Sequence, residues 1–345
     1  MYSVNPEWTI GIVNYNSAIY IKWQLKILFE SNDPNDFKLI IVDNSSLHQR
    51  KELEELTKEY VDKYQNIEIV YFLPTEATAS GQHGEGLSLI QEKTTTKYLL
   101  VHDPDFFWVQ SDYLNCFKEY LEADKNNVAI GAPYPNKIGV GDPWFPSAYG
   151  CAYKVASLEK LNFLPDVTEN KRVEGFRKYP IAEGFEFSYD VGWKIREKLS
   201  NKNFATFSQR EAYELKKLIG THSFEMLTRE YFYKNKTIGF HLFRGTFTGA
   251  VQNHEDPKAP INNKWVITRN NYGNYFYNYI TNKSNFSTAI KRKCYLLIYA
   301  IPFLLKTLIY KIILPIVKKT LIGRFIIKKL KQLLIKTKII SRPNN

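Results

Sequence analysis

Two aspartates follow a short apolar run in the stretch "YLLVHDPDFFW", residues 98–108. Asp103 and Asp105 are separated by Pro104, and three aromatic residues come directly after them. Two carboxylates on one turn form a hard oxygen site of the kind that Mg²⁺ or Mn²⁺ prefers. Such an ion can offset the charge of a departing diphosphate. The same spacing is common in turns that bind nothing, so the surrounding elements must decide between the two interpretations.

The segments before this turn alternate between predicted strands and predicted helices. Nearly continuous apolar runs predict strands, and apolar residues spaced three or four apart predict amphipathic helices. This alternation indicates an α/β protein whose mainly parallel sheet is covered by helices on both faces. The predicted strands are residues 8–15, 37–46, 67–73 and 97–103, and the predicted helices are 18–30, 48–65 and 86–94, the last after a Gly-rich turn at 79–86.

Polar residues stand at the carboxyl ends of three of these strands. Asn14 ends the first strand, Asp43 ends the second, and the pair Asp103 and Asp105 follows the fourth. In open α/β sheets, ligands bind beyond the carboxyl ends of the strands. The position of the two aspartates therefore favours the metal interpretation.

The pattern is less regular after residue 110. The sequence predicts a helix at 111–124, a strand at 127–134, a Pro/Gly/aromatic loop at 133–150, a helix at 190–200 and a strand at 236–246. Residues 251–290 are rich in Asn and Tyr with little periodicity, and we expect a connector there.

The net charge of +12 is unevenly distributed. Residues 1–256 carry 29 Lys+Arg against 35 Asp+Glu, whereas residues 257–345 carry 18 Lys+Arg and no acidic residue. An acidic body with a basic tail argues against a nucleic-acid-binding protein, and we expect no nucleic acid partner. The three cysteines form no Cys-x-x-Cys pair, so neither a zinc site nor a disulfide framework is predicted. The start of the chain lacks the features of a signal peptide.

Five segments, taken in order and spacing, resemble a family-2 glycosyltransferase of the GT-A fold. They are "IGIVNYNS", "LIIVDNSS", "HGEGLSLIQEKTTTKYLLVHDPD", "YDVGWKIREKL" and "HLFRGT", and the resemblance covers about residues 8–250. It implies a GT-A nucleotide-diphospho-sugar transferase domain over residues 1–250. It also implies an inverting, metal-dependent reaction that moves a sugar from a nucleotide-diphosphate donor to an acceptor hydroxyl, with Mn²⁺ or Mg²⁺ as cofactor.

The resemblance implies a site for the donor nucleotide at the ends of the first two strands. Backbone around Val13, Asn14 and Tyr15 would border the base, and Asp43 would hydrogen-bond it. His83 stands in the Gly-rich turn where many relatives have Asn, and it is expected to contact the donor. Asp43 could instead simply hold the turn that follows its strand.

The resemblance also implies a metal and diphosphate site. Asp103 would lie near the ribose and the metal, Asp105 would coordinate the metal, and His241 would approach the metal or the diphosphate. Arg244 would stabilise the leaving phosphate. The alternatives are a core histidine at 241 and a surface ion-pair partner at 244.

For the acceptor side, the resemblance implies a general base at Asp190. Relatives usually carry a Glu-Asp pair at this place, whereas this chain has Tyr189 and Asp190. Glu186 and Glu183 therefore stay open as alternative bases, and Asp190 could instead cap the helix that follows it. Trp144, in the predicted loop, either stacks on an acceptor sugar or packs within the protein.

The C-terminal residues 291–345 mix apolar runs with lysines. Lys306, Lys311, Pro302 and Pro315 interrupt the apolar stretch too often for a clean spanning helix. We predict basic amphipathic helices that lie on an anionic membrane surface through residues 291–340, at its cytoplasmic face. A helical subdomain packed on protein and a transmembrane hairpin are the alternatives. Membrane attachment would suit a glycan or lipid-linked acceptor in cell-surface polysaccharide synthesis.

Two other functions are compatible with the same fold class. A sugar nucleotidyltransferase would need a Gly-rich loop with basic residues after the first strand, where this chain has "NYNSAIY". A non-catalytic carbohydrate-binding or scaffold protein would bind sugar without needing the metal.

Overall fold

The computed structural model describes residues 6–76, 78–133, 145–165, 178–182, 185–188, 190–211, 228–242 and 277. Several predictions concern parts of the chain outside these ranges. They are the predictions for Trp144, Glu183, Arg244, the tail 291–345, the side chain of Glu186 and all of the connector except Tyr277. The predictions that concern them stay predictions.

The described part of the chain contains thirteen strands and five α-helices. In chain order they are β1 (Trp8–Asn14), α1 (Ala18–Ser31), β2 (Phe37–Asp43), α2 (Leu47–Lys63), β3 (Ile67–Tyr71), α3 (Ala79–Glu92), β4 (Tyr98–His102), β5 (Phe106–Trp108), α4 (Tyr113–Ala123), β6 (Asn127–Pro133), β7 (Pro146–Lys154), β8 (Lys178–Ala182), β9 (Phe185–Ser188), α5 (Trp193–Leu199), β10 (Asn203–Thr206), β11 (Ser208–Glu211), β12 (Thr228–Tyr233) and β13 (Lys236–Leu242).

Seven strands form the central sheet in the order β10-β6-β7-β4-β1-β2-β3. β7 runs antiparallel to both of its neighbours, and all other pairs are parallel. The strands β1 and β4 are buried along their whole length, as expected when helices cover both faces of a parallel sheet. The predicted α/β fold with a mainly parallel sheet is confirmed, and its architecture is GT-A-like.

The Gly-rich segment 79–86 differs from its predicted turn, because it forms the first two turns of α3. The Thr78 hydroxyl caps this helix by accepting from the Gly81 N–H at 3.0 Å. Gly84 is needed for close packing: a Cβ there would lie 2.9 Å from the carbonyl oxygen of Phe163 and 2.9 Å from Pro165. The glycines allow α3 to pack closely against its neighbours. From sequence alone, the same glycines predicted a turn.

The predicted loop 133–150 is wrong at its end, where residues 146–150 already belong to β7. Pro146 is the first residue of that strand, a place that proline tolerates. Gly150 lies against the Phe106 ring, which a Cβ would approach to 2.7 Å. Proline and glycine here serve a strand, although their presence predicted a loop.

A second, antiparallel sheet was not predicted. Its order is β11-β12-β13-β5, so it joins the aromatic run 106–108 to the strand that carries His241. The predicted strand at 236–246 is confirmed for residues 236–242. This sheet brings together chain segments more than 100 residues apart.

Tyr277 of the Asn/Tyr-rich segment packs against helix α1. The ring of Tyr277 stacks on Trp23 of α1, with centroids 4.0 Å apart and planes at 12°. Stacked aromatic pairs add about 0.5–1.5 kcal/mol beyond the area they bury.

No helix within the described ranges combines the length and the apolar character that crossing a membrane requires.

Candidate metal and donor site

The turn that carries the two aspartates connects the two sheets. β4 of the central sheet ends one residue before Asp103, and β5 of the second sheet begins one residue after Asp105. The turn is closed by the Phe106 N–H, which donates to the Asp103 carbonyl at 3.0 Å. β5 pairs with β13 so that Phe106 stands opposite His241. This register places His241 beside an acidic turn that lies far from it in sequence.

Three potential metal ligands converge at this junction. His241 Nε2 lies 3.3 Å from Asp105 Oδ1 and 3.6 Å from Asp103 Oδ2. One ligand atom from each residue can be chosen so that all lie within 4.8 Å of one another. The side chains of Asp105 and His241 are each 2% exposed, whereas that of Asp103 is 25% exposed. The cluster is therefore accessible from the side of Asp103.

His83 of α3 lies on this accessible side. Its Nε2 is 3.5 Å from Asp103 Oδ1, and its side chain is 29% exposed. The structure thus places four sequence-predicted residues together: His83, Asp103, Asp105 and His241.

The electrostatics of the cluster follow from burying two carboxyls with one imidazole. Burial alone would lower the pKa of His241, but the Asp105 and Asp103 carboxylates outweigh it and raise this pKa to about 9. Burial raises the pKa of Asp105 in spite of His241. For Asp103, burial opposes ionisation, but its histidine neighbours prevail and lower its pKa. A raised pKa at His241 and a lowered pKa at Asp103 favour an ion pair between the two side chains.

The His241 ring is fixed by aromatic neighbours. It stacks on Tyr149 of β7 with centroids 4.7 Å apart and lies 5.4 Å from the Phe106 ring. The Tyr149 hydroxyl donates to the Pro133 carbonyl and accepts from the Tyr231 hydroxyl at 3.5 Å. The orientation of the imidazole is therefore set by packing, as a pre-formed ligand requires.

The residues present suit a hard divalent cation. Two carboxylates with one imidazole is a donor set used by Mn²⁺ and tolerated by Mg²⁺. Asp103 Oδ1 is buried and makes no hydrogen bond to any described residue, so one carboxylate lone pair is still available. The chemistry of the cluster therefore fits the metal that the sequence predicted.

The His241 pKa predicts how the metal-free protein responds to alkali. A raised pKa in the folded state stabilises the fold fully below the unfolded value of 6.5, and the stabilisation is lost as pH rises to about 9. We expect the free energy of unfolding, measured with urea in EDTA, to fall by up to about 1.4 kcal/mol per pH unit across this window. His241→Gln should remove this contribution, and identical pH profiles for the two proteins would contradict the assignment.

A second polar cluster lies at the ends of β1 and β2. The Asn14 side-chain amide donates to Asp43 Oδ1 at 2.7 Å, and the Ser45 hydroxyl donates to the same oxygen at 2.6 Å. Arg50 Nε is 3.6 Å from Asp43 Oδ2. The Asp43 side chain is fully buried, and burial raises its pKa despite these partners. Asn14 and Asp43 are thus brought together as predicted.

The residues that flank this cluster differ in exposure. Val13 is buried and packs against helix α3 at Gly86. A Cβ at Gly86 would lie only 2.8 Å from the Val13 methyl groups. Tyr15 is half-buried, and burial raises the pKa of its hydroxyl. Tyr15 is therefore the most accessible of the three predicted base neighbours, since Val13 and Asn14 are both buried.

The Asp190 turn differs from the predicted helix start. α5 begins at Trp193, its N-cap residue is Gly192 in a left-handed conformation, and the Asp190 carboxylate accepts from the Val191 N–H at 2.7 Å. The alternative in which Asp190 caps the helix is therefore wrong. Its side chain stays partly exposed.

The Asp190 turn lies near the strand that contacts the acidic turn. The Gly192 N–H donates to the Phe163 carbonyl at 2.9 Å, and a Cβ at Gly192 would lie 3.6 Å from Ala148. Ala148 precedes Tyr149, whose carbonyl accepts from the Asp103 N–H at 3.0 Å. Gly192, two residues after Asp190, thus lies near Ala148 of β7, and the next residue of β7 contacts the acidic turn.

Sequence reasoning missed several supporting residues. Ser45, Arg50 and Tyr149 hold Asp43 and His241 in place, but each is a common residue type in a segment whose pattern suggested only a turn, a surface helix or a loop. Only their tertiary neighbours reveal their role.

Comparison with known proteins gave one family match. A model of the family described as "Glycosyl transferase family 2" matches residues 9–234. No curated protein matches the chain significantly.

Two solved structures illustrate the similarity at low identity. The mannosyltransferase PcManGT from Pyrobaculum calidifontis, in complex with GDP-Man and Mn²⁺, is 20% identical over 47% of this chain, with a TM-score of 0.38. The match covers 49% of PcManGT, about half its length. S. aureus TarS, as a fragment 1–349, is 14% identical over 70% of this chain and 62% of the fragment, with a TM-score of 0.43.

Proposed function

The chain belongs to glycosyltransferase family 2, and from this premise we propose that it is an inverting, metal-dependent enzyme that uses a nucleotide-diphosphate sugar. The observation that carries the proposal is the convergence of Asp103, Asp105 and His241 at the ligand edge of the sheet. Family membership favours this function over a sugar nucleotidyltransferase.

In this proposal the two aspartates and His241 hold Mn²⁺ or Mg²⁺. The ion, when bound, supplies positive charge that neutralises the departing diphosphate. Asp103 combines a ligand position with the exposure needed to meet the donor, and His83, 3.5 Å from it, is proposed to contact the donor from the same side. Arg244 is proposed to add charge to this side of the site.

The donor nucleotide is proposed to bind at the ends of β1 and β2. Tyr15 offers a half-buried ring to the base, while Val13 and Asn14 provide backbone at its edge. Asn14 and Ser45 both donate to Oδ1 of Asp43. A hydrogen bond from the base would therefore go to Oδ2, which lies 3.6 Å from Arg50 Nε.

The chemical step needs one base and no covalent intermediate. The acceptor oxygen attacks the anomeric carbon opposite the diphosphate, and a C–O bond forms as the bond to the diphosphate oxygen breaks. The hydroxyl proton passes to the Asp190 carboxylate, and the nucleoside diphosphate leaves with the electron pair. Because attack and departure take place on opposite faces, the anomeric centre is inverted.

The direct test is a donor screen. The purified protein is incubated with UDP-, GDP-, dTDP- and ADP-sugars and Mn²⁺, and release of the nucleoside diphosphate is measured with and without EDTA. We expect turnover of at least one donor that EDTA abolishes. Turnover that is unchanged by EDTA would contradict the proposed metal dependence. Affinity for a glycan without turnover of any donor would favour a carbohydrate-binding protein.

The acceptor is proposed to be a glycan or a lipid-linked glycan in cell-surface polysaccharide synthesis, with Trp144 as a stacking platform. The support is the basic, apolar tail at 291–340, which suits an anionic membrane at the cytoplasmic face. We expect the full chain to sediment with membranes after lysis and residues 1–285 to stay in the supernatant. Membrane recovery of the shortened chain would contradict the anchor.

A further inference from the structure

Helix α1 touches the acidic turn through one buried amide. Gln24 is 4% exposed, and its Nε2 donates to the carbonyl of Pro104 at 3.0 Å and also to the carbonyl of Phe106. These two carbonyls lie on either side of Asp105 along the chain. One side chain therefore uses both of its N–H donors to hold the backbone on the two sides of a proposed metal ligand.

The backbone before Asp105 is also held by β7, because the Asp103 N–H donates to the Tyr149 carbonyl at 3.0 Å. Pro104 has no N–H, so the segment cannot be fixed through a ladder hydrogen bond at that residue. The Phe106 N–H is used within the turn itself, donating to Asp103. A second contact from α1 lies one helical turn before Gln24, where the ring of Tyr20 is 6.3 Å from that of Phe107. The face of α1 that carries Tyr20 and Gln24 thus supports the acidic turn and the start of β5.

We propose that Gln24 is a positioning residue for the metal site: its amide fixes the backbone around Asp105 so that the carboxylate meets Asp103 and His241. The inference rests on the proposed metal-dependent function. Gln24 is not one of the three proposed metal ligands. Its loss should therefore weaken metal binding, while the three ligand side chains are all still present.

The chain offers a matched control on α3. Gln91 Nε2 also donates to two backbone carbonyls, those of Leu158 at 3.0 Å and Leu161 at 2.8 Å. That segment carries none of the proposed ligands. Gln24→Met and Gln91→Met each remove an amide that bridges two carbonyls, and they differ in what the bridged backbone carries.

The experiment measures Mn²⁺ alone, by the electron paramagnetic resonance signal of the free ion, against the full-length protein and its variants. We expect Gln24→Met to raise the Mn²⁺ dissociation constant about 10-fold, the scale of residues that orient metal ligands. Gln91→Met should leave the constant unchanged even if its melting temperature falls as far. Should Gln24→Met fail to fold, Gln24→Asn takes its place, because its shorter amide cannot reach both carbonyls.

The possible outcomes separate the two proposals. Unchanged Mn²⁺ binding in the Gln24 variant, or equal weakening in both glutamine variants, would overturn the positioning role while Asp105→Ala still abolishes binding. If Asp105→Ala binds Mn²⁺ like the unaltered protein, the metal site itself is wrong, and the role of Gln24 is overturned with it.

Discussion

Replacing Asp105 with Asn should lower kcat/KM by about a thousandfold or more and abolish detectable Mn²⁺ binding. The change removes one negative ligand from a site whose proposed role is to offset charge on the leaving diphosphate, and such electrostatic contributions are typically the largest in catalysis. Donor turnover at saturating metal and Mn²⁺ binding by paramagnetic resonance provide the two measurements.

The fold should survive this substitution. Asp105 is buried beside His241, and burial already disfavours its charged form. Asn has nearly the same shape and carries no charge, so the circular dichroism spectrum should match that of the unaltered protein. Asp62→Asn provides the control: this is the same chemical change at a carboxylate that is 62% exposed on α2 and pairs with Lys58.

The outcome also discriminates between classes of function. An enzyme of the proposed type loses both metal and turnover in Asp105→Asn, whereas a carbohydrate-binding protein on the same fold keeps its affinity for the sugar. Full activity with intact metal binding in the variant would show that the Asp103 and His241 side chains suffice, and the proposed role of Asp105 would be wrong.

The elements that sequence predicted well are those whose signal is local. β1, β2 and β4 are continuous apolar runs, and α1 shows helical spacing of Ile21, Leu25 and Leu28, all of which are buried. A buried strand that ends in two aspartates can be predicted from sequence, because an apolar run is followed at once by charged residues. The position of the acidic turn at the ligand edge followed from this pattern.

The partners of that turn depend on contacts between distant segments. His241 was predicted from a family resemblance, but its place opposite Phe106 is set by the β5–β13 register, which no local pattern specifies. The edge strand β11 of that sheet is short and polar, "SQRE", and its Arg210 pairs with Glu230 of β12 at 2.9 Å. Such strands are stabilised by cross-strand pairs and have no apolar periodicity to detect.

Gln24 shows the same limitation inside a well-predicted element. The spacing puts Gln24 on the same helical face as Ile21, Leu25 and Leu28, so its burial fits the pattern. The two backbone carbonyls that its amide donates to belong to a distant segment, and no local pattern identifies them. The residues that organise the site are therefore harder to predict than those that form it.

Replacing Asp190 with Asn should lower kcat by about 10²–10⁴-fold, because a general base contributes on this scale. The Mn²⁺ dissociation constant and the affinity for donor should stay unchanged, since the proposed metal ligands are elsewhere. Asn can still accept the Val191 N–H through its side-chain oxygen, so the turn before α5 should keep its conformation. The measurement is steady-state transfer to acceptor, with donor binding determined separately by calorimetry.

The alternative bases provide matched controls for this experiment. Glu183→Gln and Glu186→Gln make the equivalent change at the two carboxylates that precede Asp190 in the sequence. A large loss of kcat in one of them, with Asp190→Asn close to the unaltered protein, would move the base to that glutamate. The reverse pattern assigns the base to Asp190.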